Sequence, residues 1–542
     1  MIIDRTNDMF TKDCIVVGSG VGGLTSASLL AQAGLSVVVL ERAPQTGGAT
    51  HGFAESGYNF EMGLQDVGAE VWQGMKAREP FAHVLAAATN NGVEWNSVED
   101  ISYKFYVGDD EMIVKSTWKE FRDDLVKKFP LEESAIDKFR EMVQETREYS
   151  IGFMYSKMPA IAKPDNSGSL LHKVQQKLGM IEKETYGRKG AKEFLRLSQR
   201  TVDEVLDEIT SDKLLRYYLT FLWAKCGLPP KVASWGAFCL VVGQFFDGVA
   251  YPVGGSASIE RNMVEVIKKH NGCVFVDVPV QSIACERETC VGVTLASGRV
   301  LKSTKVISAI GAANMYEKLI PSSMLDLVRA PLLALKDLKW SSYAILQVFY
   351  GFEGDAKSLR LSTASHWFLP SKIDHTENAV LYFLDSSFSV DFPYVHVSFP
   401  SSKDPSNPQS TAVVYAAAHY DWFKNMTQDD VKAVADEIVA RLSAKLYSKF
   451  PQLQSKVKFV ELATPLAHEF HLGAYRGAPM GLGHTPSRFE QEWLRPQSPI
   501  KNLVLAGQDV FTCTVVNASV GGFMGAATAF PDKVMAKFDD LF

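Results

Sequence analysis

The sequence lacks the features that mark membrane-spanning, secreted and nucleic-acid-binding proteins. No apolar run among its 542 residues approaches the length of about 20 that a spanning helix needs. Residues 1–13 lack the basic segment and apolar stretch of a secretory signal. With 56 basic and 62 acidic residues, the chain has a net charge of −6 and no basic stripe for nucleic acid. We therefore expect a soluble or peripheral protein of the cytoplasm or a membrane surface, or of an organelle if a targeting segment precedes this sequence.

Cysteine is sparse and follows no metal-binding or disulfide pattern. The seven cysteines are an odd number and contain no CxxC pair. This arrangement favours free thiols in a reducing compartment and predicts no metal site. Internal repeats and low-complexity tracts are also missing, so a repeat architecture is not expected.

The length and composition allow a large globular core. Hydrophobic residues make up 46% of the chain and charged residues 22%, which is ordinary for a folded protein. Single hydrophobic cores stop growing at roughly 250–300 residues, so a chain of this length is expected to form two domains. The oligomeric state stays open.

A strand, a glycine-rich turn, a helix and a second strand begin the chain. Residues 14–17 and 37–40 are short apolar runs typical of buried strands, and residues 24–33 predict a helix that ends at Gly34. The turn consists of Gly18, Ser19, Gly20, Val21, Gly22 and Gly23. It fits GxGxxG, in which the glycines allow a tight turn, close approach of backbone amides to a pyrophosphate, and close packing of helix on strand. The helix N-terminus adds free N–H groups for the phosphates.

Glu41 supports a dinucleotide site and further features favour FAD over NAD. It ends the second strand, where an acid accepts hydrogen bonds from ribose hydroxyls. Gly47 and Gly48 follow closely and suit a second backbone loop near the pyrophosphate. Near the C-terminus, residues 503–506 predict a buried strand, and residues 515–529 a helix whose N-terminus could meet the flavin pyrimidine. The cofactor contacts expected here are Gly507, Asp509, Val516 and Asn517.

Several other segments have recognisable periodicity. Residues 130–150 and 201–223 resemble amphipathic helices, and Thr427 with Asp430 forms a capping box before another. Aromatic-rich strands are predicted at residues 343–350, 379–384, 394–399 and 412–415. The apolar stretch at residues 221–246 has two interpretations, a lipid-facing cap or a packed pair of helices.

In this order, the motifs resemble those of phytoene desaturase-related flavoproteins, and within that group those of retinol saturases and carotenoid isomerases. The segments that carry the resemblance are residues 41–53 (ERAPQTGGATHGF), 57–63 (GYNFEMG), 251–256 (YPVGGS) and 502–513 (NLVLAGQDVFTC). Gly477 and His484 fall in another segment similar to one in retinol saturases. The resemblance extends over nearly the whole chain.

The resemblance implies an α/β fold with a discontinuous, Rossmann-like FAD-binding domain and a second, α+β substrate domain. The implied FAD domain comprises residues 1–105, 241–320 and 455–542, and the implied substrate domain residues 106–240 and 321–454. Val280 becomes the expected adenine contact, and Gly311 is expected near the dinucleotide. Arg42 and Ala49 belong to the second motif, although many relatives carry arginine where this chain has Ala49.

The resemblance also implies a flavin reaction on a conjugated, apolar, isoprenoid substrate. Reduction of a C=C bond is the favoured outcome, with isomerisation and desaturation as alternatives. The reductant stays open, because no second GxGxxG for NAD(P)H is visible. An amine-oxidase-like enzyme is the second hypothesis. The third is a flavin-free binding protein related to GDP-dissociation inhibitors, which have a degraded phosphate loop.

Tyr475 and His484 are the candidate proton donors, because a reduced double bond needs one proton besides the hydride. Each also has an ordinary structural interpretation. Other polar residues expected to border the site are His51, Glu61, Asp66, His468, Glu469, His471 and Arg476. Cys513 lies in the expected flavin loop, where a small buried residue is the simpler interpretation.

Overall fold

The computed structural model describes residues 12–68, 80–98, 101–108, 110–158, 187–337, 342–370, 379–382, 388–389 and 391–539. The strands are β1 (Lys12–Val17), β2 (Val37–Leu40), β3 (Gly52–Glu55), β4 (Tyr58–Glu61), β5 (Val67–Gly68), β6 (Trp95–Ser97), β7 (Ile101–Val107), β8 (Asp110–Lys115), β9 (Val249–Pro252), β10 (Cys273–Phe275), β11 (Val280–Glu286), β12 (Thr289–Leu295), β13 (Val300–Ser308), β14 (Ala344–Phe352), β15 (Ser365–Leu369), β16 (Val395–Ser398), β17 (Thr411–Ala418), β18 (Val457–Ala463) and β19 (Leu503–Leu505). The helices are α1 (Val21–Gln32), α2 (Pro80–Ala88), α3 (Trp118–Lys128), α4 (Glu133–Ser156), α5 (Arg188–Ser198), α6 (Val202–Leu206), α7 (Lys213–Leu219), α8 (Trp235–Val242), α9 (Ala257–Lys269), α10 (Ala312–Asn314), α11 (Arg329–Asp337), α12 (Pro400–Lys403), α13 (Gln428–Lys449), α14 (Pro465–Leu472), α15 (Pro486–Phe489), α16 (Val515–Ala529) and α17 (Pro531–Asp539).

The first sheet gathers strands from both ends of the chain. Its parallel strands lie in the order β10-β2-β1-β13-β19, and β12 and β11 extend it antiparallel from the first half of β13. The β1-α1-β2 unit and β19 are therefore confirmed. Because β1, β2, β13 and β19 run in one direction, the turns after their carboxyl ends meet at one edge, where α/β sheets bind ligands.

Helices α1 and α16 pack unusually closely against this sheet and each other. The Ser26 hydroxyl of α1 donates a hydrogen bond to the Gly522 carbonyl of α16 at 2.7 Å. A Cβ added at Gly522 would overlap the Gly22 carbonyl oxygen and lie 2.8 Å from Thr25 Cβ. The contact is possible because neither glycine has a side chain.

The second sheet has the order β18-β14-β17-β16-β15-β7-β8 and is antiparallel except for the β15–β7 pair. Every residue of β14, β15, β16 and β17 is buried. Helix α13 covers part of this sheet with Ile438, Leu442 and Leu446. The predicted capping box is confirmed, because the Thr427 hydroxyl accepts from the Asp430 N–H and the Asp430 carboxylate accepts from the Thr427 N–H.

Three sequence interpretations change once the tertiary structure is known. Residues 201–223 do not form one helix: the chain turns after α6, and Asp212 starts α7 by accepting from the N–H groups of Leu214 and Leu215. The predicted strand at residues 379–384 is wrong, since residues 379–382 are helical, while 383–384 lie outside the described residues. Residues 235–246 are all buried, so this stretch is a packed helix and not a lipid-facing cap.

The sheets do not coincide with the predicted domain limits at two places. Strand β7 spans residue 105, and β18 lies beyond residue 455, yet both pair within the second sheet. Among the described residues, no helix combines the length and apolar character required to cross a bilayer.

We expect Gly522→Ala to destabilise the protein by about 1–3 kcal/mol, the usual cost of overpacking a tight core contact. The added methyl would force α16 away from α1 and so shift the cavity edge that both helices form. Ser519→Ala is the matched control, because it removes only a local hydrogen bond to the Val516 carbonyl. Thermal unfolding measures the effect; equal midpoints for both variants would contradict the close-contact argument.

Candidate active site

A cavity of about 1040 Å³ lies between the two sheets. Its volume reaches the upper end of the usual range for ligand sites, roughly 300–1000 Å³. One half is bounded by the glycine turns of the first sheet and the other by aromatic residues of the second. The predicted site residues that line it are Gly18, Ser19, Gly20, Val21, Gly22, Glu41, Arg42, Gly47, Gly48, Ala49, Val280, Gly311, Tyr475, Gly507 and Asp509.

The turn after β1 presents bare backbone to the cavity. Gly18 has φ +94°. Gly20 is the N-cap of helix α1, and because it has no side chain, the first-turn N–H groups receive no hydrogen bond from the cap residue. A Cβ at Gly20 would meet no atom within 4 Å, so open space begins at the backbone itself. The first N–H groups of a helix have no intrahelical partner, and here they are available to an anion in that space. Gly23 faces away and permits contact with the Gly18 carbonyl.

A second glycine loop lies directly against this turn. Gly47 donates its N–H to the Ser19 carbonyl at 3.0 Å, and its φ of +105° requires glycine-like freedom. A Cβ at Gly48 would approach Gly20 Cα to 3.1 Å. The two loops therefore form one continuous backbone surface of the kind that a pyrophosphate contacts.

Glu41 fixes the phosphate loop and retains capacity for a ligand. Its carboxylate accepts from the Ser19 N–H at 2.9 Å, the Ser19 hydroxyl at 2.7 Å and the Ala43 N–H at 2.9 Å. A carboxylate has about four acceptor positions, so one remains for a ribose hydroxyl. Arg42 donates to the carbonyls of Glu469 and Phe470 and so ties the end of α14 to this side of the cavity.

The C-terminal turn meets the N-terminal one. A Cβ at Gly22 would overlap Gly507 Cα. The Asp509 carboxylate accepts from the Ala312 N–H at 2.7 Å and the Leu482 N–H at 3.0 Å, and thereby joins the turns after β13 and β19. Gly311, with φ +86°, lies against the same carboxylate. The expected meeting of the Asp509 and Gly20 regions is confirmed.

The start of α16 lines the cavity through residues other than those named from the sequence. Val515 and Ala518 form the wall, whereas Val516 and Asn517 face away from it. The Asn517 amide donates to the carbonyls of Leu240 and Cys513, so it holds the preceding loop in place. The sequence pattern identified the right helix end but could not distinguish its two faces.

The two candidate proton donors occupy different environments. Tyr475 lines the half of the cavity that is bounded by the glycine turns, here called the dinucleotide half. Its hydroxyl donates to the Glu317 carboxylate at 3.3 Å, and burial raises its pKa. His484 does not line the cavity. It is fully buried, its Nε2 accepts from the Cys513 N–H at 3.1 Å, and burial lowers its pKa well below the usual range. His484 is therefore a neutral group that supports the Cys513 loop.

In the half of the cavity bounded by the second sheet, Asp66 and Lys225 line the wall and form an ion cluster with Lys403, which is buried behind them. Lys225 pairs directly with one carboxylate oxygen of Asp66, and Lys403 Nζ lies 4.0 Å from the other. Burial favours a neutral Asp66, but the two ammonium groups outweigh it and lower the pKa of that carboxyl. Burial lowers the pKa of Lys403 to about 8 although Asp66 opposes the shift.

The lysines of this cluster were not identified from the sequence, although Asp66 was. Lys225 is the single charged residue in the apolar stretch at residues 221–228, which was the available signal. Lys403 carries no comparable local signal. The aromatic and apolar side chains of the second sheet and its borders that line the cavity are Tyr343, Ile345, Phe349, Trp367, Tyr394, His396 and Tyr415.

Glu61 lies on β4, which forms a hairpin with β3, and it links this hairpin to β9 and to the loop that follows β9. Its carboxyl accepts from the Tyr251 hydroxyl and from the Ser256 N–H, the latter at 2.7 Å. Burial raises its pKa to about 7 despite these two donors. Glu61 does not line the cavity, so this link between the second and central sequence motifs is structural.

Comparison with known proteins agrees with this geometry. A family model for flavin-containing amine oxidoreductases matches residues 21–522. All-trans-retinol 13,14-reductase of Danio rerio is 29% identical, with 95% of this chain and 84% of that protein aligned. Chloroplastic prolycopene isomerase of Daucus carota is 26% identical over 86% of this chain and 72% of its own. The structure of cyclohexylamine oxidase from Brevibacterium oxydans IH-35A aligns with this one with a TM-score of 0.59. The alignment covers 98% of this chain and 100% of that chain, at 16% sequence identity.

The chain belongs to the flavin-containing amine oxidoreductase family. It is an FAD-dependent oxidoreductase with a Rossmann-like FAD domain and a second domain, and the resemblance found in its sequence motifs is confirmed. The residues fit the cofactor, because the open space above Gly20 and the paired glycine loops leave room for a pyrophosphate against bare backbone.

We expect substitution of Gly20 to reduce FAD binding in proportion to side-chain size. Gly20 has φ −63°, which any residue adopts, so Gly20→Ala and Gly20→Val add volume to the cavity without backbone strain. Gly20→Val should weaken FAD binding by more than about tenfold, the equivalent of roughly 1.4 kcal/mol. Visible absorbance after gel filtration measures bound flavin, and thermal unfolding of the flavin-free protein is the control. Full flavin content in the valine variant would contradict this placement of the pyrophosphate.

We expect Glu61 to make stability decrease as pH rises through about 7. In an unfolded chain the pKa of glutamate is about 4.3. Between this pKa and that of native Glu61, the native state therefore binds more protons than the unfolded state. The free energy of unfolding consequently falls as pH increases. Glu61→Gln keeps a neutral group and should flatten the dependence. Thermal midpoints between pH 5 and 8 measure it, with Glu111→Gln on the exposed side of β8 as control. Identical pH profiles for wild type and Glu61→Gln would contradict the role of this carboxyl.

Proposed function

We propose that this protein reduces one C=C bond of a conjugated, apolar polyene such as a retinoid or carotenoid, using FAD bound by the residues predicted from the sequence. The observation that carries the proposal is the continuity of the cavity. It runs without interruption from the glycine turns around Gly20 to the aromatic walls of the second sheet. A flat chain of conjugated bonds lying in that half would place one of them at the inner edge of the cofactor.

The wall residues suit a rigid, apolar ligand. Phe349, Trp367 and Tyr394 are buried in the protein and present ring surfaces to the cavity. Ring surfaces stack favourably on other π systems and exclude water, which a hydride transfer requires. Flavin, when bound, supplies the two-electron chemistry. The protein residues orient the double bond and keep the site dry.

Unpartnered polar atoms at the inner end support a substrate with a polar terminus. Among the described residues, Gln65 Oε1, Trp367 Nε1 and His396 Nε2 are buried without a hydrogen-bond partner, and all three residues line the cavity. Buried polar groups are normally paired, so a ligand hydroxyl or carbonyl is the expected partner. This favours a retinoid over a pure hydrocarbon.

The relatives and the charges of the cavity favour this function over amine oxidation. Two of the relatives are named for retinol reduction and prolycopene isomerisation. An amine substrate reaches its enzyme as an ammonium ion, and the two lysines around Asp66 make the inner cavity unfavourable for another cation. Isomerisation or desaturation of a polyene remains the alternative, because the same cavity suits either. An apolar substrate of this kind would be taken from lipid, so peripheral membrane contact belongs to the proposal.

We expect the FAD-loaded protein, reduced by dithionite without oxygen, to add two hydrogens to retinol or to a carotenoid. Products are resolved by chromatography and mass, with unsaturated fatty acids as further substrates and flavin-depleted Gly20→Val as control. A mass gain of two hydrogens supports reduction. An unchanged mass with a new retention time supports isomerisation instead, and loss of two hydrogens by the oxidised enzyme supports desaturation. No change in any polyene would overturn the proposed substrate class.

A further inference from the structure

We propose that Lys225 is the acid of this reaction, donating its ammonium proton to the alkene carbon that does not receive the hydride; this inference rests on the proposed function. The sequence did not identify Lys225, and the two donors that it did identify are poorly placed. His484 lies outside the cavity wall, and Tyr475 lies in the dinucleotide half, hydrogen-bonded to Glu317.

Lys225 lies where the two halves of the cavity meet. Its side chain retains 14% exposure and lines the cavity, and its ammonium lies 4.2 Å from the centre of the Phe245 ring. Its carbonyl oxygen accepts a hydrogen bond from Cys513 Sγ at 3.5 Å. Cys513 precedes helix α16, whose first residues form the cavity wall. Lys225 is thus attached to the loop that borders the cofactor half while its charged end faces the aromatic half.

Neighbouring side chains fix the position of Lys225. Its ammonium forms a direct ion pair with the Asp66 carboxylate in an otherwise apolar wall. The same carboxylate is shared with Lys403, which is fixed by donating to the Gln65 carbonyl and to the hydroxyls of Ser365 and Ser398, at 2.8 to 2.9 Å. Two cations therefore share one anion, and of the two lysines Lys225 is the one that lines the cavity.

Neighbouring side chains in the inner cavity are less suitable acids. The Tyr343 hydroxyl already donates to the Ala224 carbonyl, and burial raises its pKa well above the usual range. Burial lowers the pKa of His396 well below its usual range, so this imidazole is neutral. Burial likewise raises the pKa of Tyr415 far above the usual value. Lys225 is the cationic donor that the described wall offers in this half of the cavity.

The proposed step balances in atoms and electrons. One carbon of the double bond receives a hydride supplied by the reduced flavin. The π electron pair forms a C–H bond at the other carbon with the proton of Lys225, and the N–H bond of the ammonium breaks. The product gains two hydrogens, the flavin is left oxidised by two electrons, and the neutral amine of Lys225 takes a proton from water.

The test compares Lys225→Met and Lys225→Arg with wild type in a single turnover. FAD-loaded enzyme is reduced by dithionite without oxygen and mixed with the polyene that wild type reduces. General acids contribute about 10²–10⁴-fold, so we expect Lys225→Met to lose at least about 100-fold in product formation. Lys225→Arg keeps the charge but donates a proton poorly, so it should lose a similar factor. Lys458→Met is the matched control and should behave as wild type. Lys458 lies on β18, and this substitution breaks only its exposed ion pair with Glu353.

Two readouts separate a proton donor from a structural role. In D₂O, the hydride on dithionite-reduced flavin and the ammonium proton of Lys225 both come from solvent, so the wild-type product should carry two deuteriums and form more slowly, and this isotope effect should change in Lys225→Met. The midpoint potential of bound flavin should become more negative in Lys225→Met and stay close to wild type in Lys225→Arg, because a nearby cation stabilises the reduced, anionic form. Wild-type product formation by Lys225→Met, or its rescue by Lys225→Arg, would overturn the inference.

The failure of this inference differs from the failure of the proposed function. If wild type reduces no polyene, the proposed function fails, and the role of Lys225 as its acid fails with it; an altered flavin potential in Lys225→Met would then show only that the lysine lies near the cofactor. If wild type reduces a polyene and both lysine variants match it, the inference alone fails. Should Lys225→Met not fold, Lys225→Arg decides the question, since it can keep the ion pair with Asp66.

Discussion

Close contact between glycine backbones from the two ends of the chain is the constraint on which this structure depends. Helix α1 can point its free N–H groups into the cavity only because α16 lies directly against it, at Gly22, Gly507 and Gly522. A methyl group at Gly22 or Gly522 would separate the helices and the turns that they extend, and the φ of +91° at Gly507 would strain any larger residue there. The same contact brings the Asp509 turn to the Gly20 turn, so one cofactor-sized space is built from residues almost 500 positions apart.

The substrate half of the cavity follows a different physical rule. Its walls are aromatic and apolar, yet Asp66 and Lys225 line it, and Lys403 lies behind them against the same carboxylate. Buried ions of this kind rarely contribute net stability, because the loss of hydration offsets their attraction. The proposed role of Lys225 would give this cluster a function on a bound ligand. Lys403 is held by three oxygen acceptors and Lys225 faces the cavity, so the cluster has a fixed member and an available one.

The fold by itself does not choose between amine and polyene chemistry. The cyclohexylamine oxidase structure shares the architecture at low identity, whereas the more similar sequences are named for reactions of retinol and prolycopene. Selectivity between these chemistries must come from the side chains that line the cavity, many of which the second sheet supplies. In this chain those walls combine stacked rings with unpartnered polar atoms and a local excess of positive charge.

The sequence by itself determined the local elements whose signals are short-range. The β1-α1-β2 unit with its glycines, the capping box at Thr427 and helix α16 were all predicted correctly, because a glycine spacing, a cap and short apolar runs are signals within a few residues of one another. Only the tertiary structure decided which face of α16 meets the cavity, that residues 201–223 break at Asp212, and that residues 379–382 are helical. It alone paired Asp66 with Lys225, 159 residues later, and with Lys403. An ion pair between distant segments depends on how loops and short helices from different parts of the chain pack together, and no periodicity along the chain encodes that distance.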